Sequence, residues 1–140
     1  MSADLEQVLE DIKARVETVE PRFLQVYDKV PDSFSGPCAV VQPDPGDFIA
    51  YDTSMGTECV DYRILVTIIV GALDSPAVQA NLYPYLKPAG PSSIRMAVQG
   101  GNYDLGTTYV VEKGRNLRPI IVGEQSAKHL AVDIVVRVTA

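Results

Sequence analysis

The sequence predicts a single α+β domain over residues 1–140, with an N-terminal helix and one or two short helices packed on one face of an antiparallel or mixed β-sheet. Three observations predict it. Apolar residues recur at helical spacing near the start, they alternate with period two around 62–70 and 130–138, and Pro- and Gly-rich turns separate the periodic segments. The order of helix, strands, short helices and strands suits a sheet with its helices gathered on one side.

Leu5, Val8, Leu9, Ile12, Val16 and Val19 form the apolar stripe of the first helix, with Glu6, Glu10, Asp11, Lys13, Arg15 and Glu17 largely between them. Asp4 is placed to cap it, Gln7 follows in a capping-box position, and Pro21 stops it. Residues 23–27 form a short strand, and 38–42 a buried one closed by the turn Pro43-Asp44-Pro45-Gly46. Residues 44–61 then carry Asp44, Asp47, Asp52, Glu58 and Asp61 with no base. This stretch reads as a hairpin arm or extended loop, with Phe48, Ile49, Tyr51 and Met55 as its apolar content. From Tyr62 to Val70 the chain alternates but is apolar on much of both faces, as a central or partner-covered strand must be. Ser75-Pro76 opens a helix that reaches about Leu86, with Val78, Leu82, Tyr85 and Leu86 toward the core and Pro84 disturbing its last turn. After a turn over 87–91, Ser92 caps a short helix through Ile94, Met96 and Val98. Residues 107–112, 117–122 and 130–138 complete the sheet as three strands.

At 140 residues, 46% of them hydrophobic, the chain can build one real core. Its net charge of −6 argues against a protein that binds nucleic acid by neutralising phosphates. The charge is also unevenly placed. Residues 1–61 hold thirteen acids against four bases, and residues 62–140 hold five acids against eight bases. Such a split lets one subunit's acidic surface meet another's basic one. Cys38 and Cys59 match no zinc, haem or redox spacing and are expected as buried free thiols in a reducing compartment. The polar, acidic start does not resemble a secretory signal, and the apolar run 64–73 is too short to span a bilayer, so a cytoplasmic protein with no membrane partner is expected.

Little in the sequence points to chemistry. His129, the only histidine, stands just before the last strand, where a surface or strand-edge role is expected. No serine lies in a nucleophile-elbow frame, and Gly100, Gly101 and Gly106 match neither phosphate-binding pattern. The acids of 44–61 lack the spacing of a calcium loop. No catalytic residue, metal or cofactor is therefore predicted. Seven tyrosines against three phenylalanines suit half-wet positions such as protein interfaces.

Several pieces, taken in order, resemble the tail terminator (tail completion) proteins of long-tailed bacteriophages. They are the opening helix, the stretch Tyr-Asp-Lys-Val-Pro-Asp-Ser-Phe-Ser-Gly-Pro (27–37) leading into Ala39-Val40-Val41, and Tyr51-Asp52-Thr53-Ser54-Met55-Gly56. Asp61-Tyr62-Arg63 before the long apolar strand and Leu-Lys-Pro-Ala-Gly-Pro-Ser-Ser-Ile-Arg (86–95) follow. The resemblance spans nearly the whole chain and rests on turns and core segments, not on catalytic atoms. It implies a non-enzymatic α+β domain of the virion neck, assembled in the bacterial cytoplasm as a homo-hexameric ring. Such a ring caps the head-proximal end of the tail tube, stops its polymerisation, and docks to the connector or stopper protein of the head. DNA would pass through it as cargo, without sequence-specific binding, and an acidic lining would keep phosphates from sticking. On this reading Asp44, Asp47, Phe48, Tyr51, Asp52, Met55 and Glu58 are the candidate assembly-interface or channel-lining residues. Another neck or tail component, such as a stopper or minor tail protein, shares this size and composition. A small ligand-binding module or enzyme would have to use the 100–106 loop and His129.

Overall fold

The computed structural model describes residues 5–19, 25–27, 37–46, 48–51, 60–72, 82–99, 108–121 and 128–139. Along the chain run α1 (Leu5–Val16), β1 (Gln25–Tyr27), β2 (Cys38–Pro43), β3 (Ile49–Tyr51) and β4 (Val60–Ala72). A 3-10 helix (Tyr83–Leu86), α2 (Ile94–Gln99), β5 (Thr108–Ile121) and β6 (Lys128–Thr139) follow. The fold is α+β, and the six strands make one mixed sheet in the order β1-β2-β4-β6-β5. β1 pairs parallel with β2, and the other pairings are antiparallel.

β3 does not occupy a rank of its own. It pairs with the start of β4, Ile49 opposite Tyr62, while β2 pairs further along the same strand, Pro43 opposite Ile64. Between them, Asp44 N–H donates to the Arg63 carbonyl at 3.0 Å and Arg63 N–H donates to the Phe48 carbonyl at 2.8 Å. β2 and β3 are thus one interrupted strand, with the loop after Asp44 thrown out opposite a single residue, Arg63. The expected hairpin arm of 44–61 is in part a sheet strand, because β3 already spends its backbone hydrogen bonds on β4.

The two faces of the sheet differ. On the helical face, Val8, Ile12 and Val16 of α1 and Ile94 and Val98 of α2 close over Val66, Ile68, Val132, Ile134, Val136 and their neighbours. The i, i+4, i+8 spacing within α1 puts its three valine and isoleucine side chains on one stripe. The other face buries Cys38, Val40, Ile69 and Ala131, with Tyr27 half-buried against them. β4 and β6 are therefore apolar on both sides, as their near-continuous Val, Ile and Leu content requires. Burial pushes the Cys38 thiol up to about 11, and it also raises the Tyr85 phenol.

Several expectations change. Residues 107–112 and 117–122 are not two strands but parts of the fourteen-residue β5, whose register with β6 slips after Val111 and again after Arg115. Gly114 and Asn116 fall between the two expected strands. At a sheet edge, a bulge absorbs them without reversing the chain. Arg15, expected on the polar side of α1, is buried: Nε donates to Asp11 Oδ2 at 3.1 Å and Nη1 to the Val98 carbonyl at 2.9 Å. Its guanidinium also lies 4.7 Å from the centroid of Tyr109, whose hydroxyl donates to Asp11. One arginine so ties α1 to α2 and β5. The cap of α2 is Ser93, not Ser92, since Ser93 Oγ accepts the Met96 N–H at 3.1 Å and donates to the Lys87 carbonyl. Met96, which the sequence places in this helix, is exposed. His129 lies within β6 and is buried, so it has no strand-edge position. The Asp4 cap, the 75–81 part of the middle helix, the 100–106 loop and Cys59 fall outside the described residues.

Candidate assembly interface

The non-helical face carries a chain of polar contacts that begins at the root of the acidic stretch. Asp44 is buried; its Oδ1 accepts the Gly46 N–H at 2.9 Å and its Oδ2 meets Arg115 Nη2 at 2.8 Å. Arg115 pairs in register with Asp133, whose neighbour on β4 is Thr67, whereas Asp44 sits at the level of Arg63, four residues away along β4. On a flat sheet the two would also be separated by three strand spacings of about 4.8 Å each. Their contact therefore requires a strongly coiled sheet, with the two bulges of β5 bending it inward. Beneath, Thr67 Oγ1 donates to Asp133 Oδ1 at 2.7 Å, while Asp133 Oδ2 takes Arg118 Nη1 at 3.2 Å and Asn116 Nδ2 at 3.3 Å. Each buried carboxylate on this face has a cation and a neutral donor, as burial of charge demands.

The residues singled out in sequence separate accordingly. Asp44 serves the subunit's own fold. Phe48, at the far end of the same loop, is 39% exposed. Tyr51 ends β3, with its backbone opposite Val60. Asp47, Asp52, Met55 and Glu58 lie outside the described residues.

A second surface was not foreseen. Between the 3-10 helix and β5 lies a cleft of about 570 Å³, floored by Val111, Val132 and Ile134. Five large apolar side chains are exposed among the described residues, and three of them, Tyr83 (54%), Leu86 (40%) and Leu117 (57%), line this cleft. Lys87, Arg95 and Lys113 line it too, each exposed and with no carboxylate partner among the described residues; its one acid, Glu112, is 3.6 Å from Arg137. Pro84 explains part of this. It holds 83–86 in a 3-10 helix, whose three-residue turn rotates Leu86 out of the core that a 3.6-residue helix would give it. Lys87 is then extended (φ −63°, ψ 147°), as a residue before proline prefers. The signal was present in Tyr83-Pro84-Tyr85-Leu86, but a helical reading hides it.

What the fold and these surfaces define is an α+β domain with a coiled mixed sheet, a polar tie across one face and an apolar cleft with a basic rim on the edge strand. No protein-family model matches the chain, and no curated protein matches it. Among the described residues, no helix is long and apolar enough to cross a membrane.

Proposed function

We propose that this chain is a tail terminator of a long-tailed bacteriophage, a structural protein that forms a ring on the head-proximal end of the tail tube, stops tube growth and docks to the head connector. The observation that carries the reading is an acid-rich stretch of sequence set against an apolar, cation-rimmed cleft. The stretch is rooted beside β4 on the β2 side, and the cleft, whose rim cations have no carboxylate partner among the described residues, stands at β5, on the other side of the β4–β6 pair. A heterologous contact closes into a ring only when each subunit carries two different, complementary patches. Opposite charge on the two patches fixes their register and disfavours wrong pairings. The fold class agrees with the family's, and the ordered sequence resemblance supplies the remaining support. In this role the tail tube protein and the head connector or stopper are the partners, DNA is passing cargo, and the chain catalyses nothing.

The mass of the purified protein by light scattering over a concentration range, with negative-stain images, tests the reading. A closed ring of roughly six subunits is expected. A protein that stays monomeric and also fails to bind the ends of tail tubes overturns it.

A further inference from the structure

We propose that the cleft between the 3-10 helix and β5 receives residues 48–61 of a neighbouring copy, an inference that rests on the ring reading above and names its contact. Three of the five exposed large apolar side chains among the described residues meet in this one cleft, which is where a soluble domain concentrates apolar surface only for a partner. The rim sets the chemistry of that partner. Lys87, Arg95 and Lys113 have no carboxylate of their own among the described residues, so the occupant must bring acids together with apolar side chains.

Residues 48–61 meet both requirements. They hold Asp52, Glu58 and Asp61 and no base, together with Phe48 and Met55. Phe48 and Asp61 are both exposed in the subunit. A second copy also suits the edge it would meet. β5 is an outer strand, but its two register slips and the Gln99 side chain, whose Oε1 accepts the Val111 N–H at 2.7 Å, break the row of backbone groups that an added strand would need. Recognition through side chains in a cleft is open where strand addition is blocked.

A charge swap tests the contact. Lys87→Glu/Arg95→Glu alters the cleft, and Asp52→Lys/Glu58→Lys alters the arm; circular dichroism and a thermal melt establish that both fold. Each variant alone should run as a monomer where the wild-type chain assembles, and an equimolar mixture should recover the wild-type mass. Variants that assemble normally, or a mixture that does not recover, overturn the proposed contact and leave the ring intact. Should the wild-type chain itself be monomeric, a synthetic 48–61 peptide decides the matter separately from the ring. Binding that Leu117→Asp weakens about tenfold or more, equivalent to about 1.4 kcal/mol, supports the cleft, and absence of binding overturns it.

Discussion

Arg115 and Asp44 stand on opposite flanks of the β4–β6 pair, yet their side chains meet at 2.8 Å. The contact joins the strand that walls the cleft to the root of the acidic stretch. It also fixes how far the sheet coils, since neither residue can reach the other across a flat one. Arg115→Ala would leave the buried Asp44 carboxylate with the Gly46 N–H as its remaining described donor. Because the Arg115 side chain is one-third exposed, the loss should be about 2 kcal/mol, below that for a fully buried pair. Urea unfolding of Arg115→Ala, Asp44→Ala and the double variant should give a double loss at least about 1 kcal/mol smaller than the sum. Additive losses would mean that the two residues stabilise the fold independently.

Arg15 should be the most sensitive charged position in the helical layer. It donates to Asp11 and to the Val98 carbonyl and lies over Tyr109. Arg15→Ala takes a buried donor from the Val98 carbonyl and leaves Asp11 with the Tyr109 hydroxyl as its described donor, and should cost about 3 kcal/mol. Arg15→Lys should recover little of this, because an ammonium is a compact point charge without the planar spread of donors that reaches Asp11 and Val98 from different nitrogens and stacks on Tyr109. Full recovery by lysine in chemical denaturation would show that charge alone matters there.

Cys38 predicts a pH dependence. Its thiol is held at about 11, up from 9.0, because burial disfavours the thiolate. The folded state therefore keeps the proton longer than the unfolded one. The stability this provides is complete below about pH 9 and is lost as the pH rises toward 11. The difference between wild type and Cys38→Ala in denaturation midpoint, followed from pH 8 to 11, isolates the effect from lysine and tyrosine titration. At pH 8, in a Cys59→Ser background, a thiol reagent should label Cys38 no faster than the chain unfolds. Rapid labelling of the folded protein would contradict its burial.

Much of this fold was legible because its signals are local. The α1 stripe and the alternation of β4 and β6 are periods written over a dozen residues, and each became an element close to its expected bounds. The errors arose where distant residues decide. Arg15 reads as a surface residue until Val98, 83 positions later, supplies an acceptor. Residues 113–116 read as a gap between two strands until pairing with β6 carries β5 straight past them. The acidic stretch was conspicuous, but its first member is spent on Arg115. The cleft was invisible for a related reason: Leu86 and Leu117 belong to separate segments, and only the coiled sheet brings them to one surface.

Gly90 isolates a purely conformational term. Its φ is 109°, a region L side chains rarely adopt, and a Cβ placed there would meet nothing within 4 Å. Gly90→Ala should thus cost about 1 kcal/mol through the backbone alone, with no packing change. The same loop positions Ser93, whose N–H donates to the Gly90 carbonyl at 3.1 Å, so fraying should show first as faster amide exchange at Met96.

Asn116 offers the converse test, because there strain and a hydrogen bond coexist. Its φ of 57° is left-handed, and its side chain donates to Asp133 at 3.3 Å within the second bulge of β5. Asn116→Ala must accept the strained backbone and also lose the bond; Asn116→Gly loses the bond but adopts the conformation freely. In an ordinary strand alanine is the better of the two. Here the order should invert, with the glycine variant more stable by about 1 kcal/mol in thermal or urea unfolding. If alanine proves equal or better, the bulge relaxes to a negative φ when Asn116 is replaced. Its geometry is then set by pairing with β6, and not by the residue at 116.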